Sequence, residues 1–156
     1  VFDPHFSTGY EDAELGLRGA LAGYTSVFEP SAVVYHKIGQ SLNKVRTSEY
    51  LAQIQAHILY SYFKLMPAGF LVVNLPFFLL RYVLIFLFDL VFFRKFYLIL
   101  HARAWKIMFT GTLKKAFRQR RNFFKRHKTI STFTLLQKVE FSLFTDLKRV
   151  IDLVKK

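Results

Sequence analysis

The sequence predicts a mixed α/β unit over residues 1–46, followed by an α-helical, membrane-associating tail. Three observations predict it. A helical pattern at residues 10–22 gives way to two short β-branched and aromatic runs, an apolar stretch occupies residues 77–93, and a dense basic block begins directly behind that stretch.

The helix is expected from about Tyr10 to Ala22. Thr8 stands three residues ahead of Glu11, the spacing at which a hydroxyl and a carboxylate satisfy the free amides of a first turn. Glu14 and Arg18 are four apart, so they meet on one face as an ion pair. Gly23 supplies the residue that readily turns left-handed and ends a helix. Tyr24 to Phe28 and Ala32 to His36 then read as two short strands around a turn at Glu29-Pro30. A second helix is expected to start near Thr47 or Ser48 and to run to Leu65, where Pro67 and Gly69 interrupt it.

Charge is distributed unevenly. Residues 1–50 carry 4 basic and 6 acidic side chains, whereas residues 94–128 carry 12 basic ones and no acid. The whole chain of 156 residues has a formal charge of +13 with 53% hydrophobic residues, which excludes a disordered chain and directs attention to an anionic surface as partner. Cysteine is absent, removing disulfide scaffolds, thiolate metal sites and thiol nucleophiles together. Val1 opens the chain and the methionines are Met66 and Met108, so the sequence is expected to begin inside a longer protein.

Phe77 to Phe93 holds only Arg81 and Asp89 as charges. At 1.5 Å per residue this run covers roughly 25 Å, a little less than a hydrocarbon core. It reads as an interfacial or re-entrant helix, as a spanning helix or as a buried core helix, and the two charges favour the interface, where they stay wet. Behind it, Lys114, Lys115, Arg118, Arg120, Arg121, Lys125, Arg126 and Lys128 suit an anionic membrane surface. Phe117, Phe123 and Phe124 lie among them. That mixture also suits single-stranded nucleic acid, a less favoured partner because it leaves the apolar run unexplained, or a solvated face with its aromatics turned inward. Leu136 to Val154 repeats apolar residues at three and four, an amphipathic helix in need of a docking surface. The chain therefore divides into residues 1–46, a helix and apolar segment at 47–93, a basic helical region at 94–128 and an amphipathic helix at 129–156.

Chemistry is concentrated near the start. Glu11, Asp12 and Glu14 crowd a helix N-terminus, which favours carboxylates on electrostatic grounds alone. Adjacent carboxylates can also divide labour, one fixing geometry and one taking a proton from a hydroxyl. His36 ends an apolar run, where an imidazole serves either the core or a site. No second histidine or carboxylate stands at a familiar metal-ligand spacing.

The run FDPHF at 2–6, GYEDAELGLRGALAGY at 9–24 and FEPSAVVYHKIGQS at 28–41 closely resembles the end of the catalytic domain of family 2 glycosyltransferases, especially rhamnosyltransferase-like members. The tail, with its tyrosine-bearing helix at Tyr60 to Pro67 and its basic end at Arg118 to Lys128, is similar in character. The resemblance implies the C-terminal part of a GT-A, Rossmann-like catalytic domain. It implies an inverting transfer from a nucleotide-sugar donor to a lipid-linked or cell-envelope glycan acceptor at the cytoplasmic membrane face. In that reading Asp12, with Glu11 beside it, is the general base. His36 is a ligand of a divalent metal, Mg or Mn, whose other ligands lie outside this chain. Two departures stand out: the family's nucleotide-binding half and its Asp-x-Asp motif are expected ahead of Val1, and Gly9-Tyr10 replaces the commoner Tyr-Gly order. Without that half, the 156 residues alone are expected to transfer no sugar. The contrasting class is a non-enzymatic membrane-anchoring or nucleic-acid-binding piece in which the acidic turn only caps a helix.

Overall fold

The computed structural model describes residues 1–7, 9–35, 47–127 and 131–138. Its elements are all helical: α1 (Glu11–Leu21), α2 (Ser48–Leu65), α3 (Ala68–Val91), α4 (Lys95–Ile107), α5 (Leu113–Arg126) and α6 (Thr132–Lys138). A wide-turn segment, Met108–Thr112, joins α4 to α5, and Gly111 at φ 111° makes the kink there.

The expected α/β architecture is overturned, because no strand forms among the described residues. The turn at Glu29 is present, with the Ala32 amide 3.1 Å from the Glu29 carbonyl. The runs beside it are unpaired and open to solvent, Val27 at 84% and Val34 at 82% exposure. β-Branched residues favour extension, but a strand is stable only when a neighbour completes its ladder, and no described segment offers one. His36, the expected strand end, lies outside the described residues, as do Thr8 of the capping pattern and Val139 to Val154 of the C-terminal helix.

Local signals decide the helix ends. The Thr47 hydroxyl accepts the Tyr50 amide at 3.2 Å and starts α2 where the sequence placed it. Gly23, at φ 88°, closes α1 as expected: its amide meets the Ala20 carbonyl and the next amide, of Tyr24, reaches Gly19 at 3.0 Å. The same closure ends α3, where Arg94 donates to the Asp89 carbonyl at 2.8 Å, but the left-handed position is held by Phe93 at φ 50°. A side chain there costs on the order of 1 kcal/mol.

Helix α2 is the axis of the fold. Ala52 and Ala56 on α2, Ala104 on α4 and Ala116 on α5 are completely buried. Small side chains at these points let the helices approach closely. Ala56, Leu59, Tyr60, Met108 and Ala116 form one core, and Leu21, Leu65, Met66, Phe70, Phe123 and Leu135 form a second one that ties α1, α5 and α6 to the end of α2. Phe123 is committed to that core. Phe117 remains 45% exposed, so the α5 aromatics divide between packing and surface.

Helix α3 runs antiparallel to α2. Tyr62 stacks on Phe78 at 5.1 Å and receives a hydrogen bond from Asn74, while Gln55, two turns earlier on α2, donates to the Tyr82 hydroxyl further along α3. The helix is longer than the apolar run suggested: it starts at Ala68 and passes through Gly69, Asn74 and Pro76. It is long and apolar enough to cross a membrane. After the turn at Phe92–Arg94 the chain returns as α4, whose Trp105 meets both Phe78 and Tyr82 edge-on.

Candidate functional site

Gly9 and Tyr10 position the acidic turn. Both are left-handed, at φ 78° and 75°. A Cβ on Gly9 would stand 2.8 Å from Ile54, so glycine is demanded twice, by conformation and by space. The Gly9 carbonyl accepts from Nδ1 of buried His57 at 2.9 Å. Tyr10 has no such licence and its φ stores strain of order 1–2 kcal/mol directly ahead of Glu11. It starts α1 with no side-chain cap, and Glu11 is the first helical residue rather than the third, so the reciprocal box read from Thr8 and Glu11 does not describe this turn.

The three carboxylates of the turn have separate fates. Glu14 is completely buried. Arg18 Nε lies 3.0 Å from its Oε1, the i,i+4 pair that the spacing predicted, and Lys64 Nζ approaches the same oxygen at 2.6 Å. Asp12 faces solvent, its Oδ1 accepting the Ala13 amide at 2.7 Å. Glu11 is half-buried, and its Oε2 is shut away from water without a hydrogen bond. A carboxylate oxygen in that state has lost its hydration and gained nothing in exchange.

Beside Asp12 lies an open cleft of about 560 Å³, lined also by Gly16, Gly19, Tyr24, Ser26, Phe123 and His127. Two glycines on one side of α1, three apart, leave its wall bare of side chains. Asp12 is thus the member of the triplet with both an accessible carboxylate and space in front of it.

Beneath the turn runs a buried ionic seam that the sequence reading missed. Lys64, 5% exposed, is also 2.7 Å from Asp3 Oδ2, and the Tyr60 hydroxyl donates to that oxygen at 2.9 Å. Burial alone would raise the Asp3 carboxyl, but the Lys64 ammonium, the His5 amide and the Tyr60 hydroxyl together hold it below its ordinary value. Burial and the adjacent Asp3 push the Tyr60 phenol far up, so it remains a donor. His5 lies tilted against Tyr60, with ring centres 4.0 Å apart, and receives a hydrogen bond from Lys115 at 3.0 Å. Burial, with Lys115 and His57 nearby, lowers its pKa to about 4. The signal for this seam was a lone lysine among the aromatic residues of α2, facing an aspartate 61 positions earlier.

No group of three or more His, Asp or Glu side chains among the described residues could hold a metal ion, and His36 lies outside them. These residues do not fit a metal centre, so no chemical step is routed through one.

A basic surface follows α5. Lys114, Arg118, Arg121 and Lys125 recur at four, three and four residues and are all exposed. Phe117 borders this stripe and meets Phe63 of α2, whose ring in turn meets Phe78 of α3. Arg120 turns the other way and donates to the Met66 carbonyl.

No protein-family model matches the chain, and neither the curated proteins nor the solved structures supply a match.

Proposed function

We propose that this chain contributes the acceptor side of an inverting glycosyltransferase working at the anionic, cytoplasmic face of a membrane. Asp12 is the general base. It takes the proton of an acceptor hydroxyl as that oxygen bonds to the anomeric carbon, while the bond from that carbon to the donor diphosphate breaks and the nucleotide leaves. The acceptor is a lipid-linked or envelope glycan, which the adjoining apolar and basic surfaces would hold near the lipid headgroups.

The observation that carries this reading is the division within the acidic turn: Glu14 is locked in the ionic seam, whereas Asp12 stands exposed at a cleft. A cap alone does not require such a split. The motif order at 2–41, with its resemblance to family 2 glycosyltransferases, supplies the reaction class.

The test is Asp12→Asn in the full-length protein, assayed for sugar transfer from nucleotide-sugar donors. Loss of a general base lowers turnover by roughly 10²–10⁴-fold with the fold retained. An unchanged rate removes Asp12 from the chemistry. A second reading, a membrane anchor without transfer chemistry, draws on α3 and the basic stripe alone, and it predicts no transfer to any glycan acceptor by the unmutated protein.

A further inference from the structure

Helix α3 is apolar on its outer side as well as its inner one. Its less exposed stripe sets Asn74, Tyr82 and Asp89 among Phe70, Phe78 and Ile85, and each of these three finds a polar partner within the fold: the Tyr62 hydroxyl, Gln55, and Arg94 with His101. Asp89 is 2% exposed, with Arg94 Nη1 at 3.3 Å and His101 Nε2 at 3.6 Å. The outward arc is apolar from Val72 to Val91 apart from Arg81, and it occupies most of the helix circumference. A soluble helix shows the opposite arrangement. A protein partner of ordinary shape covers one stripe of a helix, whereas hydrocarbon covers a broad arc without needing complementarity. The basic stripe on α5, linked to the inward face of α3 through Phe117, Phe63 and Phe78, matches the charge of anionic headgroups.

The direction of insertion follows from what α2 carries on its other flank. Tyr62 and Gln55 engage α3 at residues 74–82. At the same levels of α2, His57, Tyr60 and Lys64 bind Gly9, Asp3 and Glu14. A helix set across the bilayer would draw Asp3, Glu14 and exposed Asp12 to its middle, where charges are costly. The polarity of this fold runs from side to side, not from end to end. We infer that α3 lies along the membrane plane, sunk into the hydrocarbon of one leaflet, with α2 as the floor of the aqueous part and the acidic turn held on the water side. Arg81, on a long flexible stem, can reach the headgroups from a helix at that depth. This rests on the membrane association proposed above.

These 156 residues hold no cysteine, so once any cysteine elsewhere in the full-length protein is changed to serine, single cysteines report depth directly. Val73, Leu80 and Leu87 are seven apart and almost equally exposed, at 48%, 49% and 47%. Each is replaced by cysteine in the full-length protein, labelled with an environment-sensitive fluorophore and bound to phosphatidylcholine vesicles containing phosphatidylglycerol. Ala20→Cys on α1 is the aqueous control. Expected are blue-shifted emission at all three α3 sites, equal quenching by brominated lipids of one depth, and an unshifted control. A probe at Leu80 several-fold more accessible to deep quenchers than those at Val73 and Leu87, or a Leu87 site reached by an impermeant reagent from the far side, would overturn the planar arrangement in favour of spanning. Binding to vesicles without lipid quenching at any site overturns insertion. Failure to bind vesicles at all removes the membrane reading itself. Where circular dichroism shows a variant to have lost helix, the series Val72, Leu79 and Phe86 repeats the measurement one residue earlier. None of these readouts depends on sugar transfer.

Discussion

The two flanks of α2 use polar groups in opposite ways. On one flank Lys64 gathers Asp3, Glu14 and the Tyr60 hydroxyl into a seam largely closed to water. On the other flank the polar side chains of α3 also point inward, but the surface above them is hydrocarbon. The first flank is what a water-soluble domain does at a site that must be held rigidly. The second keeps its polar groups paired within the fold beneath an apolar surface, as the proposed hydrocarbon surroundings would require. A polar pair in the core therefore says little about the surroundings of a helix, and the outward residues say most of it.

Three perturbations separate the flanks, beginning with the strongest. Lys64→Met keeps the volume but leaves Asp3 without its cation and Glu14 with Arg18 alone, and breaking a buried ion pair costs about 3–5 kcal/mol. The expected result is a large fall in melting temperature, with vesicle binding by the folded protein retained. An unchanged melting temperature would show that the seam does not hold the fold together.

Next, converting Lys114, Arg118, Arg121 and Lys125 together to glutamine should leave the melting temperature nearly unchanged. At about 1 kcal/mol for each cation at low salt, binding to anionic vesicles should weaken by several hundredfold or more. Binding to anionic and neutral vesicles that stays equal before and after the change would remove charge as the recruiting force.

The smallest effect concerns acid. His5 in the fold stays neutral until the pH falls to about 4, against an ordinary value of 6.5. Between those values the unfolded chain binds the proton and the folded one does not, so stability is full above the ordinary value and declines as pH drops towards 4. His5→Phe keeps a ring on Tyr60 and should flatten the melting-temperature curve in that window. The loss at lower pH should persist, because Asp3, held below its ordinary value, is protonated only there. A curve identical to that of the unmutated protein between pH 6.5 and 4 would assign its slope to other groups.

Legibility followed the range of the interaction. The start of α2 at Thr47, the closure of α1 at Gly23 and the pairing of Glu14 with Arg18 each involve residues at most five apart, and all three were readable. The strands at 24–28 and 32–36 were expected from residue preference, yet preference cannot supply the neighbour that a ladder needs. The apolar run was read only from Phe77, whereas the helix begins at Ala68 and includes Asn74 and Pro76. Asn74 finds the Tyr62 hydroxyl, and Pro76 sits on the outward side of a helix that continues through it. At the site, the resemblance singled out Asp12, but its exposure was not read from the sequence. The seam beneath it joins residues 50 and 61 apart and could not be read from spacing.

The pattern of α3 also sets the rules by which its sequence can drift. Along the outward arc, leucine, valine, isoleucine and phenylalanine are near-synonyms, because a fluid hydrocarbon medium does not register their shapes. At Asn74, Tyr82 and Asp89 each change must be answered by another at Tyr62, Gln55, Arg94 or His101. Descendants of this chain should therefore look most alike at these three inward polar positions, and comparison weighted by hydrophobicity would overlook the part that carries ancestry.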